Sequence, residues 1–401
     1  MKKRIIKYTE KLIEGLLTLS GAITTIIIVL ITIFLFKEGF GLFKNPTVEK
    51  GYVVAINANN RVTSLSSHEI KEIFDENITN WSQLGGTDAP ISTFRFDELL
   101  NHYSEEELGE DYILVTPKIG EIITNNPNII AFIPKKHAPE SKDVYVLPTE
   151  EFGWKEFFLG KDWIPTSTPT PQYGFMPLFL GTLLISIMAI LIALPLALGV
   201  AIYLSELAGH KMRAFLKPVI ELLAGIPSVV YGSFGLVVLV PLVQKTFNIP
   251  VGETAFTGSL ILAIMALPTI ITIAEDSMRN TPRAMREASL ALGASKWQTI
   301  YRVIIPYAKS GISAAVVLGI GRAIGETMAV LMVTGNAAVI PNTLFEPIRT
   351  IPATIAAELG EAPSGGMHFQ ALFLLGCILF GITMIISLTA EFISRQKHKN
   401  S

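Results

Sequence analysis

Six long apolar runs interrupt an otherwise polar sequence of 401 residues. A helix needs about 20 residues to cross roughly 30 Å of hydrocarbon, so each run predicts one membrane-spanning helix. Half of the residues are hydrophobic and the mean hydropathy is +0.47, higher than an ordinary soluble domain shows. The predicted spans are Leu16–Phe36, Leu178–Leu204, Pro218–Val243, Phe256–Ala274, Ile312–Val333 and Phe369–Phe392. The predicted fold is therefore an α-helical polytopic membrane protein.

A polar segment, residues 45–165, separates the first two spans and forms a domain of its own by composition. Its apolar runs predict strands, and Ser66 with Glu69 has capping-box spacing that predicts a helix after it. A second helix is expected over Phe96–Leu108. The predicted strands are Gly51–Asn57, Tyr112–Thr116 and Ile129–Pro134. We therefore expect an α+β insert domain.

The flanks of the insert complete the domain organisation. Residues 1–44 hold the N-terminus and the first span, and residues 166–401 hold a core with five spans. Between the insert and this core, Pro165–Pro171 has the composition of a stiff, extended linker. The first apolar run exceeds the usual 7–15 residues of a signal-peptide core and no Ala-x-Ala site follows it. We expect an uncleaved anchor.

Lysine and arginine cluster beside alternate span ends, and this bias sets the orientation of a membrane protein. If six spans alternate, all the clusters fall on one side, which we predict to be cytoplasmic. The clusters are Lys2, Lys3, Arg4, Lys7 and Lys11; His210, Lys211, Arg213 and Lys217; the basic residues of 279–309; and Arg395, Lys397 and Lys399. Both termini are then cytoplasmic, and the insert lies on the outer side.

The segment EASLALGASKWQTIYRVIIP, Glu287–Pro306, lies between the fourth and fifth predicted spans. It resembles the EAA signature of ABC-importer membrane subunits, from which Ser289, Val303 and Ile305 depart conservatively. Gly293 permits a sharp bend and Pro306 suits a helix start. The matching residues are Glu287, Ala288, Ser289, Gly293, Val303, Ile305 and Pro306. The resemblance implies a helical elbow that couples to an ATPase; the alternative is an ordinary amphipathic loop.

Three further stretches, Tyr173–Ala208, Lys217–Val243 and Gly321–Val330, resemble the C-type permease subunit of phosphate-specific ABC importers. The resemblance implies a type I importer permease in a bacterial inner membrane. The implied partners are a second related permease subunit, two ATPase subunits, a periplasmic phosphate-binding protein and phosphate itself. The sequence has no G-x-x-x-x-G-K-[ST] motif. We therefore expect a non-enzymatic subunit without a cofactor, whose partner ATPase binds ATP and magnesium.

Arg322 and Glu326 stand inside the fifth predicted span, where each charge costs about 2.5–3.5 kcal/mol on insertion scales. At i and i+4 of a helix the two side chains would share a face and could pair. Gly321 and Gly325 have the spacing that allows close approach of another helix. One interpretation is a structural ion pair. The other, favoured by the resemblance, is that Arg322 lines the anion path and Glu326 neutralises it when the path is empty.

The insert carries a second resemblance. Ser64–Ile91 resembles part of periplasmic phosphate-binding proteins, but the small-residue loop that holds the anion in those proteins has no counterpart here. Carboxylates outnumber basic residues about two to one in the insert, which disfavours an anion site. We expect a docking or structural module rather than a working phosphate site.

Two rival functions remain open from the sequence. A membrane-anchored phosphate sensor would bind ligand in the insert but would leave the elbow unexplained. A secondary carrier would often show paired repeats, which the sequence lacks. Within the importer interpretation, the anion could be phosphate, sulfate, molybdate or phosphonate.

Overall fold

The computed structural model describes residues 2–148 and 150–395. Two compact units make up the chain: one is Gly41–Gly174, and the other combines the preceding helix with the chain from Phe175 onward. That first helix is α1 (Lys2–Phe40). Lys397 and Lys399, which belong to the last predicted basic cluster, lie outside the described residues.

The strands of the insert unit, Gly41–Gly174, are β1 (Tyr52–Asn57), β2 (Ser92–Arg95), β3 (Ile129–Pro134), β4 (Val144–Val146), β5 (Trp163–Ile164) and β6 (Gln172–Tyr173). The first four form a sheet with the order β2-β3-β1-β4. β1 pairs antiparallel with β3 and β4, and β2 pairs parallel with β3. β5 and β6 form a separate antiparallel pair. Its helices are α2 (Ser67–Phe74), α3 (Leu99–His102), α4 (Val115–Asn125) and α5 (Trp154–Leu159).

The strongest local signals of the insert are confirmed. β1 and β3 lie where the apolar runs predicted strands, and all six residues of β3 are buried. Ser66 caps α2 as predicted: its hydroxyl accepts from the Glu69 N–H at 3.3 Å, and the Glu69 carboxylate accepts from the Ser66 N–H at 2.8 Å. These two bonds satisfy N–H groups that a helix start leaves open.

Three predictions for the insert are wrong. Tyr112–Thr116 is not a strand, because Asp111 and Tyr112 adopt positive φ and α4 then begins at Val115. Phe96–Leu108 is not one helix, because it breaks after His102 into an extended residue and a 3₁₀ turn. Pro165–Pro171 is not a free linker: Thr170 is fully buried, and its hydroxyl donates to the Ser67 carbonyl at 3.3 Å.

Within residues 2–148 and 150–395, six helical segments are long and apolar enough to span a bilayer, as predicted. They cover Ile13–Lys44, Met176–Leu207, Ser228–Phe247, Ala255–Arg279, Lys296–Gly325 and Met367–Ile393. After α1, the helices are α6 (Met176–Ile202), α7 (His210–Ala224), α8 (Ser228–Phe234), α9 (Val240–Phe247), α10 (Ala255–Arg279), α11 (Arg283–Ala291), α12 (Lys296–Thr299), α13 (Ile305–Gly325), α14 (Met328–Val333), α15 (Ile351–Glu358) and α16 (Met367–Arg395).

Small residues bring α6, α10 and α13 together in the centre of this unit. Ala193, Ala197 and Ala315 are fully buried in one apolar cluster. A methyl group added at Gly319 would lie 2.9 Å from Ile270, and one at Gly311 would lie 2.0 Å from the Ser277 hydroxyl. Membrane helices gain their packing energy from such close approach, since lipid offers no competing hydrophobic drive.

Two predicted spans are broken in the structure. The predicted span Pro218–Val243 divides at Gly225–Pro227, because a proline without an N–H favours a helix start and α8 begins directly after it. The predicted span Ile312–Val333 divides after Gly325. The third helical segment long and apolar enough to span a bilayer begins at Ser228, and the fifth covers Lys296–Gly325.

Wide π-helical turns occupy Gly235–Leu239 and Ile300–Ile304, each ending two residues before a proline, Pro241 or Pro306. A proline ring clashes with the carbonyl four residues earlier, and a π turn can absorb that clash without ending the helix. Pro306 stands in the first turn of α13, as predicted, but the helix continues unbroken from Lys296 through it.

Candidate functional site

Arg322 lies on α13, one turn before this helix ends at Gly325. Its side chain is partly buried and reaches the neighbouring α10, where Nη1 donates to the Thr269 hydroxyl at 3.1 Å. A neutral hydroxyl stabilises a cation less than a carboxylate does. Within residues 2–148 and 150–395, this bond uses one of the five N–H donors of the guanidinium, which lies at a helix junction inside the membrane unit.

Glu326 does not take the helical position predicted for it. Its backbone is extended, with φ −71° and ψ 131°, because α13 ends at Gly325 and α14 starts only at Met328. Among residues 2–148 and 150–395, no ion pair joins Arg322 and Glu326. The predicted sharing of one helix face is therefore wrong, and the structural ion pair between these two residues is absent from the described chain.

Close packing surrounds this break. A methyl group at Gly232 on α8 would lie 3.0 Å from the Ala329 backbone of α14, and one at Gly321 would lie 3.1 Å from Ile386 on α16. A methyl group at Gly325 would meet nothing within 4 Å. Of the two glycines predicted to allow helix approach, only Gly321 contacts another helix. The break at Gly325 thus has open space beside it.

The elbow, defined as Glu287–Pro306, bends at Gly293 as predicted. Gly293 has φ +84°, and its N–H donates to the Leu290 carbonyl at 2.9 Å. The next N–H, from Ala294, donates to the Ser289 carbonyl at 3.2 Å. This pair of bonds is the Schellman arrangement that ends α11. Ser295 then caps α12, with its hydroxyl accepting from the Gln298 N–H at 3.2 Å.

The two faces of the elbow differ. Glu287 and Ala288 are exposed, and Leu292 is 89% exposed. Ser289 points inward, where its hydroxyl lies 3.0 Å from that of the buried Thr299. Gly293 and Pro306 are also exposed, whereas Val303 and Ile305 are partly buried. Only part of the predicted set is thus available to a partner; the rest holds the elbow to its own chain.

Sequence reasoning missed a buried carboxylate at the end of α10. Glu275 is 1% exposed, and Arg213 and Lys217 of α7 contact its two oxygens at 2.5 and 2.8 Å. The hydrogen bond to Glu275 raises the pKa of Lys217. The four-residue spacing of the two cations is the signal in the sequence, since it places them on one face of a helix. These contacts fasten α7 to α10.

A cavity of about 480 Å³ in the insert carries charges of both signs. Lys155 and Lys161 line it together with Glu156 and Asp162. Burial raises the pKa of Glu156. The cavity therefore presents no concentrated positive field of the kind that attracts an anion.

Comparison with known proteins gives consistent matches. Residues 189–398 match the family described as "Binding-protein-dependent transport system inner membrane component", and residues 34–96 match "PBP superfamily domain". The probable ABC transporter permease protein YqgH of Bacillus subtilis (strain 168) is 39% identical over 242 residues, 60% of this chain and 78% of the relative.

The phosphate transport system permease protein PstC of Mesorhizobium japonicum is 40% identical over 260 residues, again 60% of this chain and 78% of the relative. Among solved structures, an inward-facing MetNI methionine ABC transporter chain is 17% identical with a TM-score of 0.43. That match covers 54% of this chain and 93% of the other.

Proposed function

Because the chain belongs to the family of inner membrane components of binding-protein-dependent transport systems, we propose that it forms the translocation path of an ATP-driven phosphate importer. It is a multi-pass inner membrane permease of an ABC importer. In the proposed complex it pairs with a second related permease subunit and two ATPase subunits. A phosphate-loaded binding protein delivers the substrate.

The exposed face of the elbow is the observation that carries this proposal. Leu292 is 89% exposed and Trp297 is 60% exposed, and the charged Glu287 and Lys296 are exposed on the same segment. Exposed apolar side chains rimmed by polar ones mark protein contact sites. The rigid Gly293 bend presents this face, so an ATPase groove can receive it without first ordering the segment.

Phosphate as the substrate is supported by the permease relatives and by Arg322. The match extends over most of the length of the relatives that are named as phosphate permeases. Arg322 offers a planar guanidinium that suits phosphate oxygens in paired contacts. Its single described hydrogen bond, to Thr269, leaves donors for an anion. Glu326 lies beside the break between α13 and α14 and is a second candidate residue of the anion path.

The proposed orientation follows the basic residues beside the spans. Both termini and the elbow are cytoplasmic, and the insert is on the outer side. ATP closes the ATPase dimer, the elbow carries that movement into the spans, and the spans expose Arg322 to one side at a time. ATP and magnesium bind the partner ATPase, not this chain.

Reconstitution tests this function. The chain is co-expressed with the partner permease, ATPase and binding protein of its own genome and placed in proteoliposomes. We expect phosphate-loaded binding protein to stimulate ATP hydrolysis and phosphate uptake, and sulfate not to compete. A chain that copurifies with no ATPase would contradict the proposal. Phosphate binding by the insert without any uptake would instead support a sensor.

A further inference from the structure

Arg286 lies on the inward face of α11, the helix in which the elbow begins. Its side chain links three elements of the membrane unit. Arg286 stands directly before the exposed Glu287 and Ala288, but its side chain points the other way and is 23% exposed. Ser289, one turn later, shares this inward face. The helix α11 thus has one face free and one face bound to its own chain.

The first partner of Arg286 is Glu206. Nη1 donates to Glu206 Oε2 at 3.2 Å, and Nη2 lies 3.0 Å from Oε1. Glu206 is 10% exposed and belongs to the wide turn Tyr203–Leu207 that ends the second span. One hydrogen bond and one close ionic contact therefore hold the Glu206 carboxylate to the guanidinium, and charge-assisted contacts of this kind are stronger than neutral ones.

The second partner is the end of α10. Nη2 of Arg286 donates to the Met278 carbonyl at 2.9 Å and to the Arg279 carbonyl at 3.4 Å. The last carbonyls of a helix lack partners within the helix and carry its partial negative charge. The Met278 carbonyl also accepts from the Thr281 N–H at 3.1 Å, so Arg286 adds a further donor there together with the matching positive charge.

These contacts would resist separation of the elbow from the spans. Removing Arg286 leaves the Glu206 carboxylate, which is nine-tenths buried, without its cation. An unpaired buried charge is far less favourable than the pair. The contacts of Arg286 therefore hold α11 to the turn Tyr203–Leu207 and to the end of α10.

We propose that Arg286 is a positioning residue for coupling: it makes the elbow, α6 and α10 move as one body when the ATPase moves the elbow. This inference rests on the proposed function and adds a specific residue pair to it. In this proposal α11 has two roles: its outward residues contact the ATPase, and Arg286 transmits the movement to α6 and α10.

The test measures phosphate transported per ATP hydrolysed in proteoliposomes that hold the full complex. Arg286→Gln and Glu206→Gln should each retain the ATPase on copurification and hydrolyse ATP, but the transported phosphate per ATP should fall about tenfold. The double variant should be no worse than either single one, because the two residues act through one contact. Arg61→Gln, at an exposed arginine of the insert, is the matched control and should transport normally.

Normal transport per ATP in Arg286→Gln would overturn the inference, as would additive losses in the double variant. Failure of the proposed function looks different, because the wild-type chain would then neither copurify with an ATPase nor transport phosphate.

If the Arg286→Gln variant does not assemble with its partners, a cross-linking experiment tests the inference instead. Glu206→Cys and Arg286→Cys are combined with Cys377→Ala, and the two thiols are bridged by a short bis-methanethiosulfonate. A contact that stays fixed during the cycle predicts that bridging restores transport per ATP. Transport that stays low or falls on bridging would overturn the inference.

Discussion

At the scale of the residue, the most informative side chain is Arg322. A charge inside a membrane unit is costly, and most such charges are paired or functional. The described chain gives Arg322 a threonine hydroxyl on α10 as its partner and places Glu326 on an extended segment beyond the helix. The ion-pair interpretation therefore loses its geometric basis, while the role of Arg322 in the anion path is our prediction.

Substitutions at this site separate the two interpretations. We expect Arg322→Gln to assemble with its partners but to take up no phosphate, and Arg322→Lys to be poor because a point charge loses the fork. Because Arg322→Gln is already expected to stop uptake, replacing Arg322 and Glu326 together should give the same result. Thr269→Val removes one hydrogen bond, about 0.5–1.5 kcal/mol, and serves as the control. Uptake of labelled phosphate measures all four.

Full uptake by the assembled Arg322→Gln variant would remove Arg322 from the anion path. A variant that does not assemble would return the residue to a structural role.

At the scale of the element, helix interruptions shape the membrane unit. Prolines at positions 241 and 306 follow wide turns, and Gly225–Pro227 and Gly325 divide apolar runs that look continuous in the sequence. Each break frees backbone groups inside a membrane protein, which is tolerated only where neighbouring helices or a cavity satisfy them. Gly225, Pro227 and Gly325 are exposed, so these two breaks lie at the surface of the described chain rather than in its packed core.

The bend of the elbow depends on one glycine. Gly293 has φ +84°, a conformation that costs a residue with a Cβ roughly 1–2 kcal/mol. We expect Gly293→Ala to weaken copurification with the ATPase and to reduce uptake, and Gly293→Asn to retain more of both, since asparagine tolerates this conformation. Gly199→Ala is the matched control, because Gly199 is helical and a methyl group there would contact nothing.

Equal behaviour of Gly293→Ala and Gly199→Ala would show that the bend does not matter for coupling. The spans of both variants should insert normally, and limited proteolysis of the purified chain checks this.

At the scale of the whole molecule, the chain combines a membrane unit with an insert unit that has its own sheet and apolar clusters. The insert ends at Gly174 rather than near Pro165, because β6 pairs with β5 through Trp163 and Tyr173. A soluble fragment must therefore include β6 to keep its fold.

We expect the fragment Gly41–Gly174 to fold and to show no phosphate binding by calorimetry. Its cavity of about 480 Å³ is lined by both lysines and carboxylates. The lysines would attract an anion, but the carboxylates would repel it. The shorter fragment Asn45–Pro165 is the control for stability and should unfold at a lower temperature. Micromolar phosphate affinity in the longer fragment would revive the sensor function.

The sequence by itself determined the number of spans, the two best strands, the capped helix at Ser66 and the glycine bend at Gly293. Each of these depends on neighbours close in sequence: apolar length, alternation, a cap or a backbone preference. The resemblance of the elbow to the EAA signature likewise needs only local spacing, and the family match over residues 189–398 agrees with it.

Only the tertiary structure decided where apolar runs break, which elbow residues point inward, and what Arg322, Glu275 and Arg286 contact. Hydrophobicity cannot show whether an apolar run is one helix or two, because one long helix and two shorter helices would bury the same side chains. The partners of these charges lie far away in sequence, so their pairing energy arises only when distant helices pack and exclude water.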